Sequence, residues 1–388
     1  MFWTFPLKVQ RLNTKTDELD YLTFDNQEKF IIYLYSRFKI PGEYNLKNTH
    51  RWKDAGNAYA NSVTRPNFEG GQYTPYIKGT HKYKQYWRNE REKVLNGYIV
   101  DDQYIPPFYY WYLNFCPIYN DVIKKKCLGD VWDSDLWFFQ YIMLCMLQGK
   151  HAAVVKARQR GYSFKIMALL YWCYSWHEGS VNTIGAYKEE YTLKSWRFLE
   201  FYRRGPVVPK SLEWYERTQL VDGSYHGLDS KLSATTFKVS PENGVGGSQT
   251  IFFYEEAGIA PKLLETVGYV RPALEKGSKT TGIIILSGSV GDLEDCKDLK
   301  EVFYRPDSHN FLSIDNIWDK KSGYNKCGLF VSEAYNLAGF IDNEGNSLIS
   351  EALEFIKKNN EKVKSIKRKD LAQLDISQKP TSPEEAFD

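Results

Sequence analysis

The sequence has no C-x-x-C pair, and none of its six cysteines (116, 127, 145, 173, 296 and 327) has a histidine partner at metal spacing. That removes the usual zinc and dithiol motifs and leaves reduced core thiols, as in a cytosolic protein. No apolar stretch is long enough for a bilayer, since the longest, over 137–147 and 166–176, fall well short of about 20 residues. The amino-terminal "MFWTFPLKVQRLN" has no signal-peptide layout. Strong charge of one sign is missing too: a net charge of +3 does not argue for nucleic acid by itself, so any such contact must come from local clusters. No internal repeat of about 20 to 50 residues is visible. What is abundant is aromatic: 29 Tyr, 22 Phe and 11 Trp in 388 residues. With 43% hydrophobic and 26% charged residues, the chain has the apolar content to fold, as one large domain with an extension or as two domains.

The character of the chain changes near residue 130. Residues 1–130 are rich in Tyr, Asn, Lys and turn residues, with helical patterns over 26–38 and 82–95 and a Gly/Asn-rich patch over 54–72. From 131 onward short apolar runs alternate with amphipathic ones. The runs "HAAVVKA" (151–157), "SVNTIGAY" (180–187), "LSATTFKVS" (232–240), "TIFFYEE" (250–256), "GIIILSGS" (282–289) and "CGLFVSE" (327–333) predict strands. Helices are predicted over 164–176, 189–203, 261–275 and 292–303, and a basic helix over 350–373. Fully apolar strands separated by helices predict a buried, mostly parallel sheet with its ligands beyond the carboxyl ends of the strands. The expected division is an extension over 1–130 packing on an α/β core over 131–345, followed by a helix and linker over 346–388.

"KARQRGYS" (156–163) stands between the first of these strands and a helix, in the order strand, loop, helix that a phosphate cradle uses. Gly161 and Ser163 occupy the sixth and eighth places of G-x-x-x-x-G-K-[ST], but Tyr162 stands where the lysine belongs and Lys156 stands first. A lysine at the strand's tip can cross the phosphates from the other side. Backbone N–H groups of Ala157, Arg158, Gln159, Arg160, Gly161, Tyr162 and Ser163 supply the cradle, and Arg158 and Arg160 each offer a guanidinium fork to a terminal phosphate. A basic surface turn after a strand is the ordinary alternative.

"TIFFYEEAG" is an apolar strand ending in two acids, which suits Glu255 to a magnesium shell and Glu256 to activating water. A solvated acid pair is the alternative. About 26 residues later, "IIILSGS" ends in Ser287, Gly288 and Ser289, placed to hydrogen-bond a γ-phosphate or the attacking water, or simply to cap a turn. Gln140, sixteen residues before the loop, can read an adenine edge with its amide or be incidental on an apolar helix.

Taken in order and spacing, Gln140, "KARQRGYS", "IFFYEEAG" and "LSGS" resemble the ATPase domain of the large terminase subunit of tailed phages. "IPPFYYWYLNFCPI" (105–118) is similar to the segment before that ATPase core, and "KPTSPEEAFD" to the stretch that joins it to a nuclease domain. The resemblance covers about residues 100–388 and implies a P-loop NTPase of the additional-strand type, an ATP hydrolase using ATP and Mg2+ to drive double-stranded DNA into a procapsid. It implies Lys156 on the β- and γ-phosphates, Ser163 and Glu255 on magnesium, Glu256 as the base, Arg158 as a finger in cis, and Ser287 to Ser289 as a coupling motif. Arg271 and Arg305 are candidates for a finger in trans. The implied partners are DNA, a portal protein, a small terminase subunit, further copies in a ring (a pentamer) and a nuclease domain or chain, with no membrane, in the host cytoplasm. The resemblance implies a nuclease built on clustered carboxylates after the ATPase, and the sequence stops at Asp388, so the expectation is ATP hydrolysis without DNA cleavage. A helicase-like translocase and a non-hydrolysing docking module are the alternatives.

Two further stretches invite a nucleic-acid reading. "HKYKQYWRNER" (81–91) interleaves aromatics with Lys and Arg, but at helical spacing the two classes separate onto different faces, as on any packed surface helix. The helix over 350–373 carries seven Lys or Arg between 357 and 369, enough to track phosphates or to solvate a linker. "GVGG" (244–247) reads as a flexible loop.

Overall fold

A computed structural model describes residues 5–53, 76–77, 79–120, 124–204, 218–219, 221–244, 246–290, 295–319, 322–366 and 368–387. The Gly/Asn-rich patch over 54–72, and Val245 of the "GVGG" stretch, lie outside the described residues.

The chain opens with β1 (Lys8–Asn13) and β2 (Glu18–Thr23), an antiparallel pair, then α1 (Gln27–Arg37) and α2 (His81–Asn96). Both helices start on a side-chain cap: Asn26 accepts from the Lys29 N–H and Thr80 from the Tyr83 N–H. β3 (Tyr98–Val100) and β4 (Gln103–Ile105) complete a sheet of order β2-β1-β3-β4, and α3 (Pro107–Phe115) follows. The alternating "KVQRLN" and "ELDYLT" strands were not anticipated; each is a six-residue run, too short to stand out in so aromatic a region.

The second part holds α4 (Asp133–Gln148), β5 (Ala152–Lys156), α5 (Tyr162–Trp176), β6 (Val181–Ala186), α6 (Glu189–Arg204), β7 (Lys231–Thr236), β8 (Ile251–Glu255), α7 (Leu263–Val270), β9 (Ile283–Gly288), α8 (Lys297–Tyr304) and β10 (Leu329–Val331). Its strands form one six-stranded sheet of order β7-β6-β8-β9-β5-β10, parallel throughout. β9 lies between the loop-bearing strand β5 and the acid-bearing strand β8, which is the additional-strand arrangement. The helix predicted over 261–275 is shorter: after α7 the chain tightens into a 3-10 turn at Arg271–Ala273, because Pro272 has no N–H to continue the helix. The basic helix splits into α9 (Ile349–Ile366) and α10 (Lys369–Gln378), and α11 (Pro383–Phe387) ends the fold.

Alternation along the strands divides the core. Ala152 and Val154 of β5, Ile251 and Phe253 of β8, and Ile283 and Ile285 of β9 face a cluster made with α3, α4 and α5 and running back to Val9. The residues between them face a second cluster with α7, α8 and Phe387. Every residue of α3 and fifteen consecutive residues of α4 are buried. That explains why these helices are apolar all round: the sheet covers one side and the amino-terminal segment the other. The extension and the sheet therefore share one continuous core. Among the described residues no helix is long and apolar enough to cross a membrane, and five of the six cysteines are buried.

Candidate active site

Period-two alternation puts Lys156 of β5, Glu255 of β8 and Ser287 of β9 on the same sheet face as the apolar residues that meet α5. All three stand at the carboxyl ends of neighbouring strands, paired in register Glu255 to Ser287 and Ser287 to Val154. Between β5 and α5 the chain makes a five-residue loop, Ala157 to Gly161, in which Gln159 and Gly161 take positive φ of 59° and 70°. Gly161 bears this without cost; at Gln159 it is unfavourable and has to be held by its surroundings. Left-handed residues in such a loop can turn successive N–H groups toward one side, where they accept an anion.

Two acids meet the loop. The Ser163 hydroxyl at the start of α5 donates to Glu255 Oε1 at 2.7 Å, and Ser195 of α6 donates to its other oxygen at 3.1 Å. Burial pushes the Glu255 carboxyl above its ordinary range, while Lys156 and the two hydroxyls pull it down. Glu256 sits in the left-handed region at φ 50°. Its Oε2 accepts from both the N–H and the hydroxyl of Ser289 at 3.2 Å, and its Oε1 lies 3.7 Å from Lys156 Nζ. The exposed Arg158 donates to the Ser289 hydroxyl at 3.4 Å. Lys156, Glu256, Ser289 and Arg158 are thus one connected group. Gly288 makes it possible: a Cβ there would lie 2.7 Å from the Ala257 nitrogen, so only glycine lets the turn after Glu256 approach the end of β9.

Five of the anticipated side chains are turned elsewhere. Gln140, expected to read adenine, is fully buried; its amide oxygen accepts from the Tyr44 hydroxyl at 2.9 Å and its NH2 donates to the Tyr104 carbonyl at 3.2 Å. The amide is thus buried and directed at the amino-terminal segment, away from the loop. Tyr162 is 1% exposed and packs its ring on Phe138, so it contributes backbone and no side chain to the loop. The Arg160 guanidinium pairs with the Glu333 carboxylate and donates to the carbonyls of Glu333, at 2.9 Å, and Asn336, at 3.4 Å; it clamps the loop to the chain beyond β10 and is not free for a phosphate. Arg271, which donates to the His309 carbonyl at 2.8 Å, and Arg305 both end helices that return toward the amino-terminal edge of the sheet, away from the loop.

Sequence reasoning missed Ser195, Lys165, Asp135 and Glu333. Ser195 and Glu333 give no local signal, because their partners lie 60 and 173 residues away. Lys165 does give one, as a cation inside the apolar run "SFKIMALL". Among the described residues there is no cluster of three or more His, Cys, Asp or Glu of the kind that holds a metal by itself.

No protein-family model matches the chain, and no curated protein sequence matches it. Among solved structures it is similar to the large terminase of bacteriophage HK97, with 13% identity and a TM-score of 0.38 over 65% of this chain and 50% of that one. It is also similar to the large terminase ATPase domain of Thermus phage P74-26, with 10% identity and a TM-score of 0.37 over 57% of this chain and 85% of that one. The chain thus spans half the length of the HK97 structure it matches.

Proposed function

We propose that this chain is an ATP hydrolase whose turnover drives double-stranded DNA, as in a phage packaging motor. The observation that carries the hydrolase reading is the convergence of Lys156, Ser163, Glu255, Glu256 and Ser289 at the carboxyl ends of three adjacent parallel strands, beside a loop with two residues of positive φ.

The residues suit a magnesium-bound triphosphate. Ser163 and Glu255 form a part-buried hydroxyl-carboxylate pair of the donor type that magnesium accepts, and the Ser287 hydroxyl, 1% exposed, has no hydrogen-bond partner among the described residues. Bound magnesium would neutralise phosphate charge as the γ-phosphoryl leaves. Lys156, at the head of the loop, meets the terminal phosphates from the strand side. As it does so it leaves Glu256, whose carboxylate then takes a proton from the attacking water. Ser289 holds that carboxylate, so the state of the γ-phosphate is passed to the end of β9 and to Arg158. The DNA-packaging part of the proposal, with its portal, small subunit and ring of copies, is supported by the ordered motif set, including the lysine at the head of the loop.

Phosphate release by the purified chain, with and without double-stranded DNA, tests the reading. Lys156→Ala and Glu256→Ala should each lower it at least about tenfold. Full activity in Lys156→Ala would remove the displaced-lysine chemistry, and a chain that binds ATP without turnover would be a docking module.

A further inference from the structure

Beneath the loop lies a buried ion pair that none of the roles above uses. Lys165 Nζ is 2.7 Å from Asp135 Oδ1, and both side chains are 1% exposed. The ammonium lies 4.3 Å from the centre of the Tyr162 ring and donates to the Arg160 carbonyl at 2.8 Å. The Lys165 backbone N–H donates to the next carbonyl, that of Gly161, at 3.3 Å. One residue therefore holds two consecutive loop carbonyls on the core side.

The peptide geometry turns this into a consequence. No peptide bond among the described residues is cis. In a trans peptide the C=O and the following N–H point in opposite directions. Fixing the Arg160 and Gly161 carbonyls inward therefore fixes the Gly161 and Tyr162 N–H groups outward, toward the face where phosphates would lie. The Arg160 carbonyl is the vulnerable one, because it precedes the helix and its partner is the ammonium. If that peptide flips, a carbonyl oxygen enters the cradle and repels an anion.

We propose that Lys165 is a positioning residue of the nucleotide site: supported by Asp135, it keeps the Arg160–Gly161 peptide in its anion-accepting orientation. The lysine missing from the seventh place of the loop is thus not replaced in kind. Tyr162 turns inward and stacks near a second lysine that orders the loop from below. The inference rests on the nucleotide reading.

A comparison of two neutral pairs tests it. Lys165→Gln/Asp135→Asn keeps a donor near the Arg160 carbonyl, whereas Lys165→Met/Asp135→Leu removes charge and donor together and leaves no unpaired buried ion. The measurements are thermal midpoint, affinity for a non-hydrolysable ATP analogue and for adenosine, and the split of phosphate release into kcat and KM. The Met/Leu pair should fold, keep its adenosine affinity and bind the analogue at least about tenfold more weakly, while the Gln/Asn pair stays within about threefold of the parent. Analogue binding by the Met/Leu pair equal to the parent's would overturn the positioning role alone. A parent chain that binds no analogue would overturn the nucleotide reading and this inference together. Should Met/Leu not fold, Lys165→Leu/Asp135→Asn against the Gln/Asn pair makes the same comparison.

Discussion

At the scale of single residues, unfavourable backbone is concentrated at the candidate site, at Gln159 and Glu256. Glu256 adopts φ 50°, a region that costs an L side chain about 1–2 kcal/mol, and the turn that follows it approaches β9 where only glycine fits. Glu256→Gly should then be roughly 1 kcal/mol more stable than Glu256→Ala, measured by urea unfolding, although both lose phosphate release. Equal stabilities would mean that the left-handed turn is not held in solution. Gly258 makes the complementary case. A Cβ there would lie 2.1 Å from the Ser289 carbonyl oxygen, so Gly258→Ala must push the Glu256 turn away from Ser289. It should cost roughly 1–3 kcal/mol and lower phosphate release without touching the loop. Unchanged turnover in a folded Gly258→Ala chain would uncouple turnover from the contact between Ser289 and Glu256.

Elements were legible in the sequence to different degrees, for physical reasons. β5, β6, β8 and β9 are short apolar runs buried on both faces, so their composition alone marks them, and their carboxyl ends marked Lys156, Glu255 and Ser287. α6 has an amphipathic pattern that gives its position but not the one serine that reaches Glu255. Gln140 misled because spacing along the chain carries no direction: α4 is buried all round, and its amide meets Tyr44 and Tyr104 from the extension. The start of β5 carries a further consequence. His151 is fully buried between strands, its Nδ1 accepts from the Ile284 N–H at 3.1 Å, and its Nε2 lies 3.5 Å from Glu275. Burial, with Arg271 and Lys150 adding to it, lowers its pKa from 6.5 to about 3. The unfolded chain therefore binds the extra proton throughout that window. Stability from this group is complete above pH 6.5 and is lost as the pH falls toward 3. Between about pH 6 and about pH 5 the parent should lose up to about 1.4 kcal/mol more than His151→Asn in urea unfolding. Parallel pH slopes for the two chains would mean that His151 is solvated in the folded state.

Across the whole molecule, the loop is held from three directions that sequence order does not bring together. α4 begins with three buried residues that each fasten a different part: Asp133 accepts from the N–H groups of Gly42 and Ser347, Ser134 from the Asn336 amide, and Asp135 pairs with Lys165. The carboxyl-terminal segment completes the enclosure. The Arg158 N–H donates to the Gln378 carbonyl at 3.1 Å, the Glu333 N–H to the Pro380 carbonyl at 2.8 Å, and Thr381 is locked to Glu385 by two 2.6 Å hydrogen bonds. Phe387 anchors all of this, 1% exposed against Phe303 and Tyr304. The carboxyl-terminal segment thus touches the loop between β5 and α5 through the backbone of Arg158. Phe387→Ala should cost roughly 3 kcal/mol locally, enough to undock the segment while the sheet stays folded. Amide hydrogen exchange should then accelerate at Arg158 and Glu333 and stay slow along β8 and β9, and phosphate release should fall even though no residue of the site has changed. Unaltered exchange at Arg158 in that variant would mean that the loop keeps its shape without the segment, and that no signal passes between them.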